Sequence, residues 1–174
     1  MKRSLADIEV PPTTERIRFR ALTLDYLDVM SEQLSDPEVM RHYPKPLTRE
    51  EAQVWIERGM MRYERDGHSF YALESLATGE FLGQCGILKQ DVNGTTEMEV
   101  GYLLVRKHWH QGLATEAARA CLDFARYHFG YERVISLIAP ENTPSSNVAK
   151  RLGAKLEKSV TWHDWPHDVW VLGR

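Results

Sequence analysis

The chain has 174 residues, 43% of them hydrophobic and 27% charged, the size and apolar content of one globular domain, which excludes a disordered tail, a fibrous repeat and a second full domain. Its formal charge is −3, so general attraction to nucleic acid or to acidic lipid is not expected. The two cysteines, Cys85 and Cys121, lie in segments that read as buried strand and buried helix, which predicts free core thiols in a reducing cytoplasm. No run of about 18 apolar residues is present, and MKRSLADIEV has no apolar stretch behind its basic residues, so neither a membrane span nor export is expected.

Met1 to about Thr14 is polar and ends in Pro11 and Pro12, which reads as a flexible arm (1–14) ahead of a single domain (15–174). A first strand follows from Arg16 to Arg20. Leu24, Leu27, Met30 and Leu34 then recur at helical spacing until Asp36 and Pro37 stop them. Thr48 with Glu51 three residues later makes a capping box, and Ala52, Trp55 or Ile56, Gly59 or Met60, and Tyr63 give the apolar stripe of a helix running to about Arg65. From Ser69 the period changes. SFYALES, FLGQCGILK and MEVGYLLV, separated by turns at Thr78-Gly79 and Asn93-Gly94, predict an antiparallel meander.

Helical spacing returns between Gly112 and Phe129, with Leu113, Ala117, Cys121, Leu122 and Ala125 on one face and Gly130 as the C-cap candidate. The apolar strand RVISLIA, a short helix ending near Gly153, and two strands around Leu156–Thr161 and Asp168–Leu172 complete the chain. The strand, helix, strand unit in the middle demands a parallel crossover. The predicted fold is therefore α/β, with a mixed and mostly antiparallel sheet of about seven strands and helices on both faces.

The segment VRKHWHQGLATEAA, from Val105 to Ala118, is the first with readable chemistry. A strand ends, a Gly-containing turn follows and a helix begins, which aims unpaired backbone N–H groups and the positive end of a helix dipole at one spot and suits a pyrophosphate. Gly112 allows close approach of the backbone, and Thr115 adds a hydroxyl donor. By itself such a junction reads first as an ordinary helix entry. Further along, NTPSSNVAKRLGA (Asn142 to Ala154) sets an Asn and a Ser before a short helix that ends in Leu152 and Gly153.

These segments, with FLGQCGI and MEVGYLL upstream, resemble in order the motifs of the GCN5-related N-acetyltransferase (GNAT) superfamily, and within it the RimJ/RimL-like branch that acetylates the N-termini of bacterial ribosomal proteins. WHQGLA matches the family's pyrophosphate loop at Gly112 and Ala114, with Trp109 where the general motif has Gln or Arg. Trp followed by TEA is common in this branch. Ala154 stands where an aromatic is usual.

The resemblance implies acetyl-CoA as co-substrate, no metal, and a sheet splayed between its fourth and fifth strands. The pantetheine arm would lie in the gap against the backbones of Leu103 and Val105, and the N–H groups of Gln111, Gly112, Leu113, Ala114 and Thr115 would hold the pyrophosphate. It further implies Glu99 as general base, or else as a carboxylate that only binds or orients the acceptor amine or pairs with an arginine, and Ser145 as hydrogen-bond donor to the departing sulfur. Asn142 is both a helix cap and a coenzyme contact candidate. Arg106 and Lys107 read as solvated charges. His42, His108, His110, His163 and His167 read as surface histidines, with His42 the best placed near an acceptor pocket. The implied protein is a cytoplasmic monomer or homodimer that binds acetyl-CoA and an amine acceptor, a small molecule or a protein N-terminus, and transfers the acetyl group directly. The alternative is an acyl-CoA-binding sensor or interaction module without turnover.

Overall fold

A computed structural model describes residues 4–173. Residues 1–3, the beginning of the expected arm, and residue 174 lie outside the described residues. In chain order the elements are β1 (Ile17–Ala21), α1 (Leu27–Ser35), α2 (Arg49–Asp66), β2 (Phe70–Ser75), β3 (Phe81–Val92), β4 (Thr95–Leu104), α3 (Leu113–Tyr127), β5 (Ile135–Ile138), α4 (Thr143–Arg151), β6 (Lys155–Trp162) and β7 (Trp165–Val171). The helix expected from Leu24 begins as a 3-10 turn over Leu24–Tyr26, because the Thr23 side chain caps Asp25, and becomes α-helical only at Leu27.

The local signals act as their chemistry dictates. Thr48 Oγ1 accepts from Glu51 N–H at 3.2 Å and the Glu51 carboxylate accepts from Thr48 N–H at 2.9 Å, so two orphan donors at the start of α2 are satisfied reciprocally. At the end of α3, Gly130 takes φ 72°. Its N–H bonds Arg126 O at 3.0 Å while Tyr131 N–H reaches back to Ala125 O at 3.0 Å, a left-handed helix ending that a side chain at Gly130 would strain.

The strands form one sheet in the order β1-β2-β3-β4-β5-β7-β6, antiparallel except for β4 and β5. Alternation along β2 sends Tyr71 and Leu73 into a core shared with Leu113, Ala117, Cys121 and Ala125 of α3 and Val148 and Ala149 of α4. Phe70 and Ala72 point the other way, into a core with Met30 and Leu34 of α1 and Ala52 and Ile56 of α2. The sheet thus carries two helices on each face, and the cysteines, both buried and free, pack together at 3.5 Å between β3 and α3.

Residues 4–14 run beside α3. Ile8 and Val10 pack against the first core, Pro11 is buried, Glu9 meets His128 at 2.7 Å and Thr14 donates to Glu116 at 2.7 Å. Among the described residues no helix is long and apolar enough to cross a membrane.

Candidate active site

The parallel strands β4 and β5 pair at a single position, Glu99 opposite Ile135, and then part. In a parallel ladder the next rung would join Leu137 N–H to Val100 O. Here side chains take both groups. Leu137 N–H donates to Glu99 Oε2 at 3.0 Å, and Ser136 Oγ–H donates to Val100 O at 2.7 Å. Side chains thus satisfy the two backbone groups of that missing rung, which lowers the cost of parting the strands there. Further along, Tyr102 O–H donates to Ser145 O at 2.7 Å, tying β4 to the first turn of α4 across the opening.

The register decides which backbone groups face the gap. The two-residue turn Asn93-Gly94, both with positive φ, closes the β3–β4 hairpin on Val92 opposite Thr95, a hydrogen-bonded pair in such a hairpin. Counting in twos from there makes Leu103 and Val105 face β3. Val105 N–H indeed donates to Leu82 O at 3.0 Å, and Leu103 O is also taken, by Gln33 Nε2 at 2.7 Å. The expectation that their backbones line the gap is thus shifted by one residue: Tyr102 and Leu104 have the parity that faces β5. Leu104 O accepts from Trp109 Nε1 at 3.1 Å, so Trp109 braces the strand end.

At the mouth of the wedge the chain turns into α3 through His110 (φ 61°) and Gly112 (φ 77°). Leu113, Ala114 and Thr115 occupy the first turn of α3, so their N–H groups have no intrahelical acceptor. Gln111 and Gly112 precede them on the same exposed loop. The loop is braced by a residue that composition and motif did not single out. Arg16 donates from Nη1 to Gln111 O at 2.8 Å and from Nε to Glu116 Oε2 at 2.7 Å. Glu116 Oε1 in turn accepts from Arg16 N–H at 2.9 Å. Hydrogen bonds from Thr14 and Arg16, together with the Arg16 charge, hold the Glu116 carboxyl below its usual range against the opposing effect of burial. Arg106 and Lys107, expected to be solvated, pair with Asp36 at 3.1 Å and with Glu80 respectively.

The wedge opens on one side into a cavity of about 790 Å³ lined by Glu99, Tyr102, Leu103, Asn142 and Ser145, by the loop at 42–47 and by the hairpin tip at 162–167. Glu99 is 7% exposed. Gln90 Nε2 donates to its Oε1 at 3.0 Å and Leu137 N–H to its Oε2. Burial raises its carboxyl above the ordinary range despite those two bonds and the nearby charges of His167 and Arg62, the direction expected of a proton-accepting group in a cleft. Asn142 is the N-cap of α4, accepting from Ser145 N–H at 3.3 Å, so its capping role is realised. Ser145 Oγ makes no hydrogen bond among the described residues.

His42, His163 and His167 line the cavity while His108 and His110 do not. His42 lies 3.7 Å from Glu141. A second feature missed in the sequence is a buried amide relay. Trp55 Nε1 donates to Gln84 Oε1 at 2.9 Å, Gln84 Nε2 to Gln33 Oε1 at 3.1 Å, and Gln33 to Leu103 O. It fixes Trp55 as a wall of the cavity, stacked on Phe70 at 5.8 Å. Long-range polar contacts of this kind leave no periodic trace in sequence.

A seven-stranded sheet opened between a parallel pair, with a helix N-terminus at the mouth and a perturbed carboxyl inside, defines an α/β domain with a cleft beside unpaired main-chain donors. Residues 16–155 match the profile of the Acetyltransferase (GNAT) domain, and the chain belongs to that family. It is 36% identical over 162 residues to the uncharacterized protein YkkB of Bacillus subtilis, covering 92% of this chain and 93% of that protein. Among solved structures it resembles an acetyltransferase from Agrobacterium tumefaciens, with a TM-score of 0.83, 24% identity and 95% of each chain covered. It also resembles RimL, a ribosomal L7/L12 alpha-N-protein acetyltransferase in complex with coenzyme A, with a TM-score of 0.76, 17% identity, and 95% of this chain and 97% of that one covered. Both structural likenesses carry the fold alone.

Proposed function

We propose that this chain is an acetyl-CoA-dependent N-acetyltransferase whose acceptor is a primary amine, a small molecule or a protein N-terminus, attacking the thioester directly in a ternary complex. The observation that carries the reading is the position of Glu99, a buried carboxyl with a raised pKa that sits where the strands part and faces the cavity. The coenzyme fits the donors at the wedge: the N–H groups from Gln111 to Thr115 suit its diphosphate, and the Tyr102–Leu104 edge of β4 suits its pantetheine amides as an added strand. RimL, a fold relative, has been solved in complex with coenzyme A.

In this reading the acceptor amine attacks the thioester carbonyl carbon, a C–N bond forms and the C–S bond breaks. Glu99 accepts the ammonium proton, directly or through one water, and Ser145 Oγ–H hydrogen-bonds the leaving sulfur, aided by the positive end of α4. Attack by the amine itself requires no acyl-enzyme, so the buried Cys121 has no step to perform.

The test is release of free CoA from acetyl-CoA in the presence of a panel of amines and peptides. Coenzyme binding without release across a broad panel would leave the sensor alternative in its place. Ser145→Ala should lower kcat by about tenfold with coenzyme affinity nearly unchanged, the loss of one hydrogen bond to developing charge; an unchanged kcat removes its assigned role. Arg16→Ala frees the loop at the mouth and should weaken coenzyme binding about five- to tenfold while kcat at saturation stays within about twofold, as expected for an exposed charge-assisted brace worth about 1 kcal/mol. Isothermal titration with CoA checks it.

A further inference from the structure

The acceptor wall contributed by α2 carries charge that nothing in the protein uses. Four arginines at and beyond its first turn differ sharply in company. Arg49 pairs with Asp28 at 2.6 Å and Arg65 with Asp66, whereas Arg58 and Arg62 have no hydrogen-bond acceptor and no ion-pair partner among the described residues. Those two are the ones that line the cavity. They stand four residues apart, so they share one helix face and repel each other unless an anion lies between them. Arg62 is half-buried; burial, Arg65 and Arg58 act against its charge, while Glu99 in the cavity wall and Asp66, already bonded by Arg65, favour it without contacting it. Glu99 makes no ion pair with it; its oxygens accept from Gln90 and Leu137 instead.

The rest of the wall is aromatic. Trp55 has its N–H consumed by Gln84 and so offers only a ring face, with Tyr43 tilted against it at 6.0 Å. Across the opening the hairpin tip adds Trp162 and the exposed Trp165. Glu50 and Glu51 also line the cavity, but about two turns of α2 before Arg58, and Glu51 is taken by Lys45; at the Glu99 end a polycation such as a polyamine would meet two guanidinium groups without ion-pair partners, which is the wrong charge order. An amine that carries its own carboxylate and an apolar or aromatic body matches all three features.

Resting on the acetyltransferase reading of this cavity, we propose that Arg62, assisted by Arg58, binds the carboxylate of the acceptor, and that the acceptor is a small amino-acid-like amine with an apolar or aromatic side chain. The guanidinium fork takes the carboxylate, the tryptophan and tyrosine rings take the body, and the amine is left facing Glu99.

Three probes isolate the carboxylate: phenylalanine, its primary amide and phenethylamine share the amine and the ring and differ only at that group. Binding to the CoA-loaded full chain is read by fluorescence of the cavity tryptophans, independently of turnover. Phenylalanine should bind at least about tenfold more tightly than either neutral analogue. Arg62→Gln should erase that preference while leaving the affinities of the neutral probes within about twofold, and Arg62→Lys should recover part of it. Equal or tighter binding of the amide or of phenethylamine, an unchanged preference in Arg62→Gln, or no binding of any probe at millimolar concentration would overturn the proposal. Release of CoA with the same probes separates it from the parent reading. Carboxylate-selective binding without release keeps the anion subsite and removes the enzyme, and release without carboxylate preference keeps the enzyme and removes the subsite.

Discussion

Replacing Glu99 with Gln should lower kcat for amine acetylation by about 10² to 10³-fold, within the range general bases contribute, with the dissociation constant for CoA changed by less than about twofold. The substitution is nearly isosteric. The carboxamide oxygen can still accept from Leu137 N–H, and the new amide can donate to Gln90 once the Gln90 amide turns over, so the wedge keeps its bonds. The pH dependence sharpens the expectation. The acceptor amine must be neutral and Glu99 must be ionised, so below both pKa values kcat/KM should rise with two protons lost, and above the raised pKa of Glu99 with one. In Glu99→Gln the two-proton region should disappear and the one-proton rise should remain.

The same raised pKa has a sign for stability. A carboxyl lifted above its unfolded value contributes stability at pH below that unfolded value, and the contribution is lost as pH rises through the folded pKa. Glu99→Gln should therefore be no less stable than the parent at neutral pH, by thermal unfolding. A parent-like kcat with an unaltered pH profile would take the base role from Glu99.

The second large effect is structural and lies at the crossing of β2 and β3. A Cβ on Gly86 would stand 2.1 Å from Ser69 O and 2.5 Å from Phe70 Cα, both main-chain atoms that cannot rotate away. Gly86→Ala must push β2 off β3 and is expected to cost about 3 kcal/mol, the upper part of the usual range for overpacking, or roughly 6–12 °C in Tm for a chain of this size. Phe70 begins β2 and stacks on Trp55, so the displacement also reaches the acceptor wall. Gly79→Ala is the control. Nothing lies within 4 Å of a Cβ there, and its φ of 73° alone should cost about 1–2 kcal/mol. Equal melting temperatures for Gly86→Ala and the parent would mean that the strands are not packed backbone to backbone.

What could be read from the sequence was what depends on neighbours along the chain. The capping box of Thr48 and Glu51, the Gly130 ending, the Asn93-Gly94 hairpin and the amphipathic face of α3 are all local patterns, and together with the order of elements they give the sheet, its parallel pair and the helix N-terminus at Gly112. Glu99, Asn142 and Ser145 were singled out because motif resemblance stood in for geometry, and all three line one cavity. Leu103 and Val105 were placed on the wrong parity. The signal that corrects them was present, since a two-residue hairpin turn fixes which residues of β4 face β3, and counting from Thr95 reaches Tyr102 and Leu104 for the gap. Arg16 bracing Gln111 and Glu116, the Trp55-Gln84-Gln33 relay and the solitary Arg62 were not legible, because each depends on residues brought together from distant parts of the chain, and polar side chains at such distances follow no period.

A crystal structure of the full chain with CoA is the most direct measurement. The pantetheine should lie between β4 and β5 with its amides on the Tyr102–Leu104 edge, its diphosphate on the main-chain N–H groups of residues 111–115, and its sulfur within reach of Ser145 Oγ. Strands paired beyond Ile135 with the gap closed, or the nucleotide bound away from the α3 N-terminus, would contradict it.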